Sequence, residues 1–252
     1  KIIAITGSCG KTSLKELIGM TLNKLCCVTY SRKSFNNKFG VPLSLFNLNP
    51  KDDFGIFEVG MDKKGEIDAL TKIIKPEVGV ITNISYAHAK NFKNLKQIAL
   101  AKSEIMNNIV SGGSIILNAD DKFYKFHQKI ALKKKLKVYS FSISKKNTTV
   151  RLNSIKKEKT KFKATININN QKKHFFISSN FENNLKNLLA AITVISIFKD
   201  IKTLNKNIFY NYQVPYGRGD ISKIKINKKN IFLIDESYNS NPLSLKSSIN
   251  NF

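Results

Sequence analysis

Thr6-Gly7-Ser8-Cys9-Gly10-Lys11-Thr12-Ser13 stands between a short apolar run and a stretch of helical apolar spacing. Its residue types suit the holding of phosphate. That task needs backbone N–H groups turned toward one point, a helix N-terminus behind them and a cation that can reach in. Gly7 and Gly10 permit the tight wrap, and Ser8, Cys9 and Ser13 bring further N–H groups and side chains to it. Lys11 can reach the β- and γ-phosphates, and the Thr12 hydroxyl can ligate Mg²⁺. The GxxGKT spacing is two residues shorter than the general GxxxxGK[ST] loop. An ordinary glycine turn capping a helix would carry the same glycines, but the strand before and the helix after favour phosphate. The loop alone implies a nucleotide and nothing more specific.

Other chemistry-bearing residues follow. Glu58 ends an expected strand, at the carboxyl edge where open α/β sheets bind ligands, and a carboxylate there can hold a hard cation. His88 comes soon after another strand; read alone, a single His is more often a surface or satisfied core residue than a ligand. Lys102 sits on an expected helix, where a solvated lysine is the plain reading. Asn184 and Asn187 are three apart on one helical face, and an amide can read an adenine edge with donor and acceptor together. Arg218 lies in a glycine-flanked loop, and Asp235 ends a strand shortly before Tyr238 and Asn239. Turn chemistry and a salt bridge would explain those four equally well.

The elements that must position these residues alternate, which is the pattern of a parallel α/β sheet flanked by helices. Strands are expected at 2–6, 54–59, 78–82, 114–117 and 138–142. Helices are expected where Leu14, Leu17, Ile18, Thr21, Leu22 and Leu25 recur, and at 96–110 and 122–133. From 148 to 178 the rhythm becomes alternating, with Asn169-Asn170 at a hairpin position, so a small antiparallel β subsheet is expected. A helix follows over 182–198. Residues 214–219 read as a linker, then come strands at 221–226 and 230–235 and the start of a helix after Pro242. The expected division is a central ATP-binding domain over 1–214, then a linker and the truncated start of a second α/β domain over 215–252.

Composition excludes several classes. The chain has 252 residues, 42% of them hydrophobic, without a run of about twenty apolar residues that would span a membrane. Lys1 leads directly into a strand pattern with no leader, so a chain whose natural start has been removed is expected. Three cysteines, two of them adjacent, form neither a disulfide framework nor a metal-ligand spacing, and a reducing cytoplasm fits. The formal charge of +26 invites a nucleic-acid reading. The lysines are scattered without an aromatic-interleaved stripe, so a Lys/Asn/Ile-rich compositional bias is preferred; a basic surface would still favour anionic substrates.

Several stretches occur in a telling order: Asn36-Asn37-Lys38-Phe39-Gly40-Val41-Pro42-Leu43, Glu58-Val59-Gly60-Met61, Ala101-Lys102-Ser103-Glu104-Ile105, Asn184-Leu185-Lys186-Asn187, Gly217-Arg218 and Asp235-Glu236-Ser237-Tyr238-Asn239-Ser240-Asn241-Pro242. With the GKT loop, this series resembles the Mur ligases of peptidoglycan synthesis, over essentially the whole chain. The NNxxGVPL and YNxNP stretches are most similar to the MurF type. The resemblance implies an ATP-dependent amide ligase that joins D-alanyl-D-alanine to UDP-N-acetylmuramoyl-tripeptide through an acyl phosphate. It implies ATP and two Mg²⁺ ions as cofactors, with Thr12 and Glu58 on the first ion. His88 and a carbamylated Lys102 would serve the second. It further implies Asn187 at the base, Arg218 at the γ-phosphate, Asp235 near the ribose, and Tyr238 and Asn239 in a nucleotide-facing loop. Lys90 and Lys93 stand where an acidic residue and a glycine are common in the family, and Asn183 where a His is usual. A monomer is expected, and residues 1–252 alone are expected not to ligate. A MurE-type ligase adding a different amino acid is the enzyme alternative; a basic P-loop module that binds nucleic acid is the alternative of another class.

Overall fold

The computed structural model describes residues 1–86, 91–179, 181–227, 229–238, 245 and 249. Ile2–Thr6 forms β1, an uninterrupted apolar strand that is paired in parallel on both sides and nearly all buried. Continuous apolar runs of this kind suit strands covered on both faces. After β1 the chain forms α1 (Lys11–Leu22), β2 (Val28–Tyr30), α2 (Gly40–Leu45), β3 (Phe54–Glu58), α3 (Glu66–Ile74) and β4 (Val78–Ile81). It continues through α4 (Leu95–Ser103), a 3₁₀ turn at Glu104–Asn107, β5 (Ser114–Asn118), α5 (Tyr124–Lys133) and β6 (Lys137–Ser142). Then come β7 (Val150–Glu158), β8 (Lys161–Ile168), β9 (Gln171–Ile177) and α6 (Glu182–Phe198).

These strands make one nine-stranded sheet in the order β2-β3-β1-β4-β5-β6-β7-β8-β9. Pairing is parallel from β2 to β7 and antiparallel from β7 to β9. The antiparallel subsheet is therefore an extension of the main sheet. The chain leaves β1 toward β2 and β3 on one side and later returns to β4 on the other. That reversal opens a crevice at the carboxyl ends of β1, β3 and β4. A separate two-stranded sheet, β10 (Asp220–Ile226) with β11 (Lys229–Asp235), follows.

Two apolar layers hold the sheet. On one side α1 and α6 pack Leu14, Ile18, Leu189 and Ile192 against β1, β3 and the β7–β9 strands. On the other, α3, α4 and α5 pack Ile67, Leu70, Ile98 and Ala131 against Phe57, Ile81 and Leu117. Burying a side chain such as Ile18, fully inaccessible here, contributes about 1.5–3 kcal/mol. In α3, Ile67, Leu70, Thr71 and Ile74 are the buried residues, the inward stripe of a helix lying on a sheet.

The expected elements are present with small shifts in their ends. The helix expected over 96–110 stops as an α-helix at Ser103 and tightens into the 3₁₀ turn. The sequence reading missed β2, α2 and α3. The helix expected after Pro242 falls mostly outside the described residues. Among the described residues no helix is long and apolar enough to cross a membrane.

Candidate nucleotide and metal site

The loop after β1 is shaped by its glycines. Gly7 has φ 148° and Gly10 φ 81°, a left-handed conformation that L side chains rarely adopt. There is also no room for a side chain. A Cβ on Gly7 would lie 1.8 Å from Thr82 Oγ1, and one on Gly10 would lie 2.9 Å from Asn187 Oδ1. Gly10 caps α1 without a side-chain hydrogen bond, so the N-terminus of that helix opens directly onto the loop.

Residues after β4 brace the loop from behind. Ser8 N–H donates to the Asn83 carbonyl at 3.0 Å, and Cys9 N–H to Asn83 Oδ1 at 3.0 Å. Thr82 Oγ1 and Asn83 Nδ2 both donate to the Cys9 carbonyl, at 2.7 and 3.1 Å. Lys11 Nζ donates to the Gly7 carbonyl at 3.0 Å, which holds the ammonium over its own loop. Thr6 Oγ1, at the root of the loop, is buried with no hydrogen-bond partner among the described residues.

Thr12 Oγ1 donates to Glu58 Oε2 at 2.7 Å, and Asn36 Nδ2 donates to Glu58 Oε1 at 2.8 Å. Glu58 is buried, at 1% exposure, and Thr12 at 3%. A hydroxyl and a carboxylate held together beside a phosphate-type loop form the hard-oxygen donor set that Mg²⁺ prefers. Ser34 Oγ lies 3.4 Å from Thr12 Oγ1 and accepts from Arg218 Nη2 at 2.7 Å. The Arg218 guanidinium also stacks on the Tyr238 ring, 4.1 Å from its centroid. These contacts bring the 214–219 loop over the site.

Lys102, on α4, is only 2% exposed. Burial first, and the neighbouring Lys11 charge second, push its amine well below the ordinary lysine range. A neutral buried amine is a nucleophile. α4 itself is supported by His127 of α5, whose Nε2 lies 3.0 Å from the Ala99 carbonyl.

Of the residues the sequence singled out, Ser8, Cys9, Gly10, Lys11, Ser13, Asn187 and Arg218 line one small cavity of about 90 Å³. Asn184 lines it too, but its amide donates to Ser179 Oγ at 3.1 Å. Lys11, Glu58, Arg218 and Tyr238 also border a larger cavity of about 750 Å³, whose far wall is Asn37, Lys38 and residues 60–66. Asp235 lines neither; hydrogen bonds from the Ser237 side chain first, and from the Ser237 N–H at 2.8 Å second, hold its carboxylate below the usual range. His88 and Asn239 lie outside the described residues. Among the described residues no group of three or more His, Cys, Asp or Glu forms a metal cluster. Sequence reasoning gave no role to Ser34, Asn36 or Asn83. Asn83 carries the same signal as Glu58, a polar residue at the carboxyl end of a parallel strand beside β1.

The sequence profile of the Mur ligase middle domain matches residues 5–195. The UDP-N-acetylmuramoyl-tripeptide–D-alanyl-D-alanine ligase of Rickettsia prowazekii is 34% identical over 99% of this chain and 55% of its own length. The enzyme of the same name from Buchnera aphidicola subsp. Baizongia pistaciae is 34% identical over 97% of this chain and 52% of its own. The chain thus spans about half the length of the curated relatives it matches. Among solved structures, MurF from Acinetobacter baumannii superposes with a TM-score of 0.87 at 29% identity, over 98% of this chain and 52% of that one. MurF ligase from Thermotoga maritima in complex with ADP shares the fold, with a TM-score of 0.84 at 22% identity over 100% and 56%.

Proposed function

The chain belongs to the Mur ligase family, and from that premise we propose that it forms the ATP-handling core of a MurF-type ligase. The reaction joins D-alanyl-D-alanine to UDP-N-acetylmuramoyl-tripeptide in peptidoglycan precursor synthesis. The single observation that carries this reading is the pairing of the Gly7–Thr12 loop with Glu58. A phosphate cradle and a hard-oxygen pair, Thr12 Oγ1 to Glu58 Oε2 at 2.7 Å, meet at one crevice.

In this reading the α1 N-terminus and the N–H groups of residues 10–13, which are not given to Asn83, take the phosphates, and Lys11 stabilises the charge that builds on the transferred group. Thr12 and Glu58 would hold one Mg²⁺. Lys102, as its carbamate, and His88 would hold a second, with His88 retained on the resemblance alone. When bound, such ions would supply the positive charge that offsets the negative charge of the phosphates. The lowered basicity of Lys102 fits attack of its neutral amine on CO₂, which forms the N–C bond of a carbamate and releases a proton. Asn187, beside Gly10, reads the base, while Asp235, Tyr238 and Asn239 serve the ribose side. Arg218 reaches the γ-phosphate from the loop that joins residues 1–214 to the unit starting at 215, so closure of that loop gates turnover.

Chemically, the tripeptide's terminal carboxylate takes the γ-phosphoryl group of ATP. The amine of D-alanyl-D-alanine then displaces phosphate from the acyl phosphate, forming the amide. The test is to trap that intermediate: the full-length protein with ATP, Mg²⁺, UDP-N-acetylmuramoyl-tripeptide and hydroxylamine, but no dipeptide. The expected products are ADP and a hydroxamate of the tripeptide. ADP formation without hydroxamate at high hydroxylamine would remove the acyl phosphate from the account.

A further inference from the structure

Positive charge is unevenly distributed along this chain. Residues 122–181 hold 17 Lys and Arg against the single carboxylate of Glu158, a net +16 of the formal +26. This segment folds as α5, β6 and β7–β9, at the end of the sheet beyond β4 and β5 from the phosphate loop.

Several of these charges lie on one side. Ala164, Ile166, Phe175 and Ile177 face the α1/α6 core. The alternation of side chains then sets the Lys156–Lys163–Phe176 row, and Lys172 opposite Asn167, on the other face. That is the side on which α5 packs against β5 and β6. α5 turns Lys125, Lys129 and Lys133 outward at i, i+4 and i+8, with Leu132 61% exposed among them. The two elements form one broad cationic face. The segment's one carboxylate, Glu158, lies 3.9 Å from Lys163 Nζ.

We propose that this face docks on a planar anionic surface, a bilayer bearing acidic phospholipid headgroups. Sixteen of the 17 cations in the segment are lysines, hydrated point charges that need no bidentate geometry and suit a diffuse array of headgroups. A leucine exposed amid lysines on one helical face is what an interfacial helix presents to the acyl boundary. A single-stranded nucleic acid would instead want open aromatic faces for stacking. Phe176 is not open, being 9% exposed with Lys161 Nζ 3.5 Å from its ring centroid.

The test is sedimentation of the full-length protein with phosphatidylcholine vesicles, with and without about one-third phosphatidylglycerol. Binding is expected only to the anionic vesicles and is expected to weaken with salt. Each lysine near such a surface contributes roughly fivefold in partition, so Lys156→Glu/Lys163→Glu/Lys172→Glu should lower binding at least about 100-fold. Lys51→Glu/Lys72→Glu/Lys75→Glu carries the same charge change in the β3–β4 part of the chain, away from β7–β9, and should cost far less. Nucleotide binding by both variants reports that the fold is intact. Three results would overturn the proposal: no binding to anionic vesicles, equal losses in the two variants, or tighter binding to RNA of matched phosphate concentration.

Discussion

Lys102 is where environment most changes what a side chain can do. A protonated lysine repels Mg²⁺, whereas its carbamate is an anionic oxygen ligand, so one modification reverses the sign of the interaction. Lys102→Ala in the full-length protein should lower turnover by at least about 100-fold, the scale of losing a metal-positioning group. Acetate or formate should restore part of it by supplying the missing carboxylate. A lysine that only fills space predicts near-normal turnover in the variant, and no response to either anion. His127, which bonds the Ala99 carbonyl of the helix that carries Lys102, is a different case. Burial holds its pKa below the ordinary histidine value. The unfolded chain therefore binds the proton more readily. The stability from neutral His127 is fully present above about pH 6.5 and is lost as pH falls from there toward the folded value. Thermal unfolding between pH 7.5 and 5.5 should show a smaller drop in melting temperature for His127→Gln than for the parent. Parallel drops would assign the acid sensitivity to other groups.

At the scale of elements, the join of β1, the 7–10 loop and α1 leaves the least room for an added side chain of any glycine position described. Gly7→Ala would push a methyl group to 1.8 Å from Thr82 Oγ1, and no rotation of that β-branched side chain clears its own Cβ at 3.0 Å. The variant should lose about 2–4 kcal/mol of stability and bind nucleotide at least tenfold more weakly. Urea unfolding and ATP titration measure the two; a change under 0.5 kcal/mol with normal affinity would mean the loop has other room.

β1, β3, β4 and β5 were legible because strands buried on both faces read as unbroken apolar runs, and the β7–β9 subsheet because it alternates. β2 was not, since three residues at a sheet edge carry too little pattern. α2 hides behind Pro42 in its first turn, where proline is tolerated, and α3 behind the left-handed Gly65 that begins it. In the site, the GKT spacing and the strand-end position made the loop and Glu58 readable. The contacts of Ser34 with Thr12 and Arg218 were not, because they join residues 22 and 184 apart in sequence. The burial of Lys102 was equally hidden, since an isolated helix leaves a lysine solvated and only the packing of α4 under the loop removes it from water.

The whole molecule gathers the 7–13 loop, the Thr12–Glu58 pair and Arg218 at one crevice of a parallel sheet, with Lys102 buried near Lys11. The MurF reading stands or falls on which acceptor and which amine that crevice serves. The measurement is product mass and phosphate release by the full-length protein, given ATP and Mg²⁺ with either UDP-N-acetylmuramoyl-tripeptide or the corresponding dipeptide, each offered D-alanyl-D-alanine and a diamino acid in competition. One phosphate is expected for each D-alanyl-D-alanine joined to the tripeptide, with no product from the other pairings. Ligation of the diamino acid to the dipeptide, with the tripeptide left untouched, would contradict it.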